Sequence, residues 1–191
     1  MSNAIEIWKG LKEGDINALK GLYELYYQDL YQYGKRMTKD EHLVEDALQE
    51  TFISFWKYRE TTSVPAGVRN FVLKAYRNQL MLLFRERSGT AYPGEPLEFS
   101  FEVAFDELIV AGEDASQLSF KINNAVQQLT PRQREIIYYR FFENLSFEEI
   151  GVLMNMQTRA TYKLAARALE ALKNFMGSKI FSLFLYLITG L

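Results

Sequence analysis

Residues 129–172 carry successive helix-start signals, and this pattern constrains the fold more than any other feature of the chain. Thr130 stands before a proline at the first helical position, and Gln133, three residues on, can accept a hydrogen bond from the backbone of the capping residue. Ser146 and Glu149 repeat the device as a capping box. After a short polar turn, apolar side chains recur on one helical face: Thr161, Leu164, Ala165, Ala168, Leu169 and Leu172. This spacing predicts a helix-turn-helix.

The opposite face of the last helix carries basic and polar side chains. Three of them lie at the helix start, the end that a recognition helix inserts into the major groove. Two interpretations stay open from this pattern, a surface that reads duplex DNA and an ordinary helical hairpin with a solvated basic face. We favour the first, which gives these DNA-binding candidates: Thr158, Arg159, Tyr162, Lys163 and Arg167.

A second helical module occupies residues 1–87. Asp15 can cap one helix, and a second helix is predicted from about Asp40 to Tyr58. The polar side of this second helix is either functional or merely solvated, and it consists of Asp46, Gln49 and Glu50.

A third helical stretch follows Pro65, and in it basic side chains interleave with aromatic ones. Guanidinium groups can take phosphates while exposed rings or planar amides meet unstacked bases. Most of its aromatic residues are expected in the core, whereas Arg77 and Asn78 are expected on the surface.

The net charge of −2 is the sum of two basic segments and an acidic segment between them, together with a slightly acidic N-terminal segment. Residues 61–87 hold five basic and one acidic group, residues 88–119 hold seven acidic and no basic groups, and residues 120–176 hold eight basic and five acidic groups. Prolines and glycines at the start of the middle segment predict an acidic linker over 88–119, with a short helix near Phe105–Val110. Neither basic module is strong, so we expect weak DNA binding by the isolated chain and help from a partner.

Other features exclude several classes of protein. The absence of cysteine excludes disulfides and thiolate chemistry and fits a reducing cytoplasm. His42, the single histidine, is expected to be solvent-exposed rather than a metal ligand. No nucleotide-binding glycine motif occurs, and Met1–Ala4 begin no export signal. We therefore predict no enzyme activity, no metal and no cofactor.

Over residues 15–175 the chain resembles the extracytoplasmic-function sigma factors, the compact group of the sigma-70 family. The segment 46–59 resembles the family's region 2.2, and 68–87 resembles regions 2.3 and 2.4. Residues 129–154 resemble region 4.1 and the first half of region 4.2. Two departures are Gln157, where a small polar cap is usual, and Thr161, where a valine-like residue is usual.

The resemblance implies an all-α fold of two small helical domains and a role in transcription initiation with core RNA polymerase. Region 2.2 would dock on polymerase through Asp46, Gln49 and Glu50. The minus-ten promoter element would be melted and read by Arg69, Lys74, Arg77 and Asn78, with residues 61–67 as a pocket for a flipped base. The last helix, residues 158–167 above all, would read the minus-thirty-five element. An anti-sigma factor is a further implied partner.

The tail 177–191 is not explained by the resemblance. Its apolar part, 180–191, would span about 18 Å as a helix, too short for a hydrocarbon core of about 30 Å, so we predict no transmembrane segment. Burial against the chain itself, contact with another protein and membrane-surface association stay open, in decreasing order. Two rival functions also stay open: a DNA-binding regulator that never joins polymerase, and a helical interaction protein that works through this tail.

Overall fold

The structure, a computed structural model, describes residues 2–88, 98–103 and 113–189. Over these residues every regular secondary-structure element is an α-helix, which confirms the predicted all-α fold class. In chain order the helices are α1 (Ser2–Lys12), α2 (Ile16–Met37), α3 (Glu41–Lys57), α4 (Val68–Ser88), α5 (Glu113–Gln127), α6 (Pro131–Phe141), α7 (Phe147–Leu153) and α8 (Thr158–Thr189). The chain divides into two compact units, Met1–Leu97 and Glu98–Leu191.

The helix starts show the capping chemistry predicted at Asp15, Thr130 and Ser146, and Asp40 adds a cap where only the start of a helix was predicted. The Asp15 carboxylate accepts the Asn17 N–H at 2.8 Å, and the Asp40 carboxylate accepts the Leu43 N–H at 3.0 Å. In the second unit, Thr130 and Ser146 each head a complete capping box. Each cap satisfies amide groups that the first helical turn leaves without a partner, so four starts are fixed locally.

The core of the first unit is formed where α2, α3 and α4 approach one another closely. Tyr76 of α4 is fully buried at this crossing, with its hydroxyl directed at the Val44 carbonyl of α3. Gly34 of α2 faces both residues, and its missing side chain leaves the space that the Tyr76 hydroxyl fills. The three helices therefore meet at one glycine.

Helix α1 was not anticipated from the sequence. Trp8 and Leu11 are buried, and the Trp8 ring makes edge contacts with Phe55 and Phe71 at centroid distances of 5.3 Å and 5.2 Å. One turn of α1 thereby completes the core between α3 and α4.

Part of the predicted linker belongs to the second unit. Residues 98–103 form an extended strap in which Phe99, Phe101 and Val103 are buried and the intervening residues are exposed. The Asn123 amide of α5 accepts the Val103 N–H at 2.8 Å and donates to the Val103 carbonyl at 3.3 Å. Helix α5 starts at Glu113, so residues 113–119 are helical rather than linker. The helix predicted near 105–110 and most of the remaining linker lie outside the described residues.

The tail continues α8 beyond a break at Gly177, whose φ of 76° is left-handed. Phe184 is fully buried, whereas Leu183 and Tyr186 are 37% and 61% exposed, so the tail is partly buried. By length and composition α8 is the one described helix that meets the criteria for crossing a membrane, a test that core helices of soluble proteins also pass. The Gly177 break leaves an uninterrupted apolar helix of about 18 Å.

The crowding at Gly34 generates a stability prediction. A Cβ at this position would overlap the Tyr76 hydroxyl and lie 2.9 Å from Val44 Cγ1. We expect Gly34→Ala to lower the free energy of unfolding of the first unit by about 1–3 kcal/mol, because overpacking outweighs the gain in helix propensity of about 1 kcal/mol. Urea denaturation followed by circular dichroism measures this change.

Gly21→Ala is the matched control on the same helix. Its Cβ would lie 3.6 Å from Ile7, an ordinary contact, so this variant should be as stable as the wild type or more stable. A Gly34→Ala protein at least as stable as the wild type would contradict the close approach of the three helices.

Candidate functional site

The three polar residues predicted on α3 line one groove between α3 and α4. Asp46 is half-buried, whereas Gln49 and Glu50 are exposed. The groove has a volume of about 350 Å³, and helix α4 supplies its other wall with Gln79, Leu82, Leu83 and Glu86. The sequence analysis missed this second wall, because the pairing of α3 with α4 decides which α4 residues face Asp46.

Arg87 closes the arrangement at the end of α4. Its guanidinium donates to the carboxylates of Asp46 and of Asp40, the latter at 3.3 Å. The pKa of the Asp40 carboxyl is lowered, first by the Leu43 N–H that it caps and then by the nearby Arg87 charge, against the raising effect of desolvation. Asp46 is thus held by a charge of its own chain at the mouth of the groove.

The candidates for the minus-ten element occupy different sides of α4. Lys74 and Asn78 are four residues apart and share a face, with Lys74 half-buried and Asn78 exposed. Arg69 is exposed and lies 4.0 Å from the Asp29 carboxylate of α2. Five residues separate Arg69 from Lys74, which places it about 140° around the helix. Lys74 and Asn78 therefore form one surface, and Arg69 contributes to another.

The prediction that Arg77 lies on the surface is wrong. Its side chain is only 7% exposed, because it falls on the apolar stripe that Leu73, Tyr76 and Leu80 turn toward the core. The periodicity of these three residues includes position 77, so the buried position was readable from the helix period, and the charge of arginine argued against it.

The helix-turn-helix is formed by α7 and α8 packed through a close turn. The Met156 N–H donates to the Gly151 carbonyl at 2.8 Å, and a Cβ at Gly151 would lie 2.9 Å from the Met156 carbonyl. Helix α8 begins at Thr158, with the Gln157 carbonyl accepting the Ala160 and Thr161 amides. The missing side-chain cap is thereby replaced by the turn itself.

Thr161 explains the second departure from the family pattern. It is fully buried at the apolar position where it was predicted, and its hydroxyl donates to the carbonyls of Thr158 at 2.6 Å and of Phe147 at 3.1 Å. A buried hydroxyl needs such acceptors. The bond to Phe147 joins the start of α8 to the start of α7, a role that the sequence did not indicate.

The exposed side of α8 carries the predicted basic face. Thr158 is half-buried, and the remaining four candidates are exposed: Arg159, Tyr162, Lys163 and Arg167. Arg159, Lys163 and Arg167 recur every four residues and share one face. The structure therefore brings three cations together on the side of α8 turned away from its core stripe.

Tyr162 packs with part of its side chain against another aromatic residue of the same unit. Its ring lies 4.1 Å from the Phe147 ring, and the Arg140 guanidinium stands 5.3 Å from that same ring. One ring face of Tyr162 is thus covered while 51% of the residue stays exposed. This stack of Arg140, Phe147 and Tyr162 orients the first turns of α8.

Family comparisons match the two helical modules separately. The family model for sigma-70 region 2 matches residues 22–89, and the family model for sigma-70 region 4 matches residues 125–174. Together they account for more than half of the chain and contain the α3–α4 groove and the helix-turn-helix, respectively.

Curated relatives align over most of their length. The chain is 25% identical to the ECF RNA polymerase sigma factor SigW of Bacillus subtilis, covering 86% of this chain and 92% of the relative. It is 28% identical to the RNA polymerase sigma factor CarQ of Myxococcus xanthus, covering 87% and 93%. Sigma factor SigX of Bacillus subtilis is 27% identical, with 81% of each chain covered.

Solved structures share the fold. CnrH, determined in complex with the cytosolic domain of CnrY, superimposes with a TM-score of 0.58 at 16% identity, covering 89% of this chain and 94% of that one. The sigma factor RpoE of Bartonella quintana, determined with the anti-sigma factor NepR, gives 0.56 at 15% identity, covering 84% and 97%. With both region models matched in order and the curated relatives aligned over most of their length, the chain belongs to the extracytoplasmic-function group of the sigma-70 family.

Proposed function

We propose that this chain is a sigma subunit that docks on core RNA polymerase through the α3–α4 groove and directs it to promoters with two DNA-binding surfaces. The observation that carries the proposal is the gathering of Asp46, Gln49 and Glu50 into one groove, separate from the basic face of α8. A repressor with a helix-turn-helix needs the second surface and has no use for the first.

The chemistry of the groove favours a basic, partly apolar partner surface. Carboxylates of Asp46, Glu50 and Glu86 surround it, with Leu82 and Leu83 as its apolar part. Leu82 is 47% exposed, so burying it on a partner would remove apolar surface from water. The rim charges would steer a basic surface into place and set its register.

The proposed minus-ten surface consists of Lys74 and Asn78, with the loop 58–67 ahead of α4, while Arg69 lies on a different side of the helix. Arg77 supports this surface from within the core rather than contacting DNA. Melting costs a few kcal/mol per disrupted base step, and capture of an extruded base offsets part of that cost. No catalytic group is needed for this step, and we propose no enzyme activity or cofactor.

The proposed minus-thirty-five surface is the exposed face of α8. Arg159 lies in the first turn, where a recognition helix reaches base edges, and Lys163 and Arg167 follow at phosphate-contacting positions. Few cations contribute, and the whole chain carries a charge of −2, so non-specific affinity is low. Fixing both surfaces on polymerase makes the second binding event intramolecular and the pair avid.

An anti-sigma factor is the further partner we propose, since CnrH was solved with CnrY and RpoE with the anti-sigma factor NepR. Such a factor would act in the cytoplasm, where polymerase and promoter DNA reside. Covering the α3–α4 groove would suffice to keep the chain inactive.

Charge reversal in the groove tests docking. We expect Glu50→Arg to weaken binding to core RNA polymerase at least tenfold, about 1.4 kcal/mol, because a like charge would face the basic partner surface. Glu45→Arg makes the same change on the same helix outside the groove and should bind as the wild type. Fluorescence anisotropy with labelled protein measures both affinities. Wild-type affinity of Glu50→Arg for core polymerase would remove the groove from the docking surface. A wild-type chain that bound promoter DNA but not core polymerase would favour a regulator that never joins polymerase.

Removing a cation from α8 tests the second surface. We expect Lys163→Ala to weaken promoter binding by the holoenzyme and to lower the magnitude of its salt slope by about 1, because one phosphate contact is lost. Affinity for core polymerase should not change. Lys173→Ala is the control, since this exposed lysine lies about 15 Å further along α8. Binding titrations between 50 and 200 mM salt, a range of about fourfold, give the salt slopes. Equal salt slopes for both variants would show that Lys163 does not contact DNA.

A further inference from the structure

The α3–α4 loop, residues 58–67, is a hydrogen-bonded turn in its first half. The Tyr58 carbonyl accepts the amides of Thr61 at 3.2 Å and Thr62 at 3.0 Å. The two threonine hydroxyls donate to the same carbonyl at 3.1 Å and 2.8 Å. These four donors converge on one oxygen and share its two lone pairs, which folds the first half of the loop onto the end of α3.

Helix α1 holds this loop from the side through a lysine. The Lys12 ammonium, at the last residue of α1, donates to the Glu60 carbonyl at 3.4 Å and to the Thr62 carbonyl at 2.5 Å. Both acceptors belong to the loop, and both lie some fifty residues away in the chain. Hydrogen bonds from a charged donor are stronger than neutral ones, so Lys12 is a substantial tie.

The same helix also fixes the two stems of the loop. Trp8 is 1% exposed and contacts the rings of Phe55 and Phe71. Phe55 lies two residues before the end of α3, and Phe71 lies three residues after the start of α4. The Trp8 indole therefore packs between the end of α3 and the start of α4, the two helix ends that the loop connects. Lys12 binds the loop itself.

The outer side of the loop is open. Tyr58 is 52% exposed and Val64 is 38% exposed, and Thr61 and Ser63 are exposed as well. The tied carbonyls thus face α1, and a hydroxyl-bearing, partly apolar surface faces outward. Such a surface can take an unstacked base at a lower entropic cost if its backbone is already ordered.

We propose that α1 preorganises the α3–α4 loop for capture of an unstacked promoter base, with Lys12 as the positioning residue. The inference rests on the proposed function, because the loop acts on DNA only if the chain opens promoters with polymerase. It assigns a role in promoter opening to a helix outside both matched regions, since the region 2 match begins at residue 22. Lys12 acts through the loop and does not itself contact DNA.

The test compares Lys12→Met with Lys9→Met in holoenzyme formed from the full chain and core polymerase. Lys9 is an exposed lysine on the same helix, and it pairs with Glu6 rather than with the loop. Three quantities are measured: affinity for core polymerase, affinity for a single-stranded minus-ten oligonucleotide, and permanganate reactivity of minus-ten thymines in duplex promoter DNA.

We expect Lys12→Met to reduce oligonucleotide affinity and promoter opening about tenfold with core affinity unchanged. Lys12→Arg, which keeps a charged donor, should restore most of the loss, and Lys9→Met should match the wild type. Promoter opening by Lys12→Met at the wild-type level would overturn the inference. A parallel loss of core affinity would also overturn it, because that would indicate general destabilisation of the unit. If the wild-type holoenzyme itself opened no promoter, that result would contradict the proposed function, and the inference about Lys12 would fall with it.

Discussion

The packing of α3 against α4 is the interaction on which the first unit depends. It buries Tyr76 against Val44, with Gly34 of α2 leaving room for the Tyr76 hydroxyl. The same contact turns Asp46 and Glu50 of α3 toward the α4 wall and so creates the groove. Neither helix would present that groove alone, because each supplies one side of it.

The pairing of α3 with α4 also defines the two ends of the unit. At one end Arg87 ties the last turn of α4 to carboxylates at the start of α3. At the other end the helices diverge into the α3–α4 loop, which α1 holds through Trp8 and Lys12. In our account polymerase docking and base capture are thus carried by the same pair of helices, so a partner bound at the groove also positions the loop.

The second unit depends on short-range contacts between α7 and α8. Gly151 lets the chain turn tightly before α8, and the Thr161 hydroxyl ties the start of α8 to that of α7. This fixes the basic face of α8 without a side-chain cap at residue 157. The strap 98–103 adds buried aromatic surface to the same unit, with Phe99 and Phe101 contacting Tyr138. The HTH surface is thereby presented by a unit whose core extends well ahead of the matched region.

The sequence predicted what short-range chemistry determines. The caps predicted at Asp15, Thr130 and Ser146 involve residues two or three positions apart, so each could be recognised without knowing the fold. The cap at Asp40 is equally local, but only the helix start was predicted there. The stripe of α8 and its exposed basic face followed from the 3.6-residue period alone.

Features that depend on distant residues could not be obtained in this way. Helix α1 is stabilised by rings more than forty residues away, and the tie from Lys12 ends on backbone carbonyls, which have no sequence signature. The α4 wall of the groove appears only once α3 and α4 are paired. Arg77 was misplaced because its charge was given more weight than its position on the helical stripe.

The central claim is that the chain confers promoter recognition on core RNA polymerase, and reconstituted transcription measures it most directly. Purified chain and core enzyme would be combined, and transcripts from a library of randomised promoter sequences would be counted with and without the chain. The account predicts transcripts that require the chain and that start from DNA sharing two separated sequence elements. Absence of a complex with core enzyme, together with absence of any chain-dependent transcript, would contradict it.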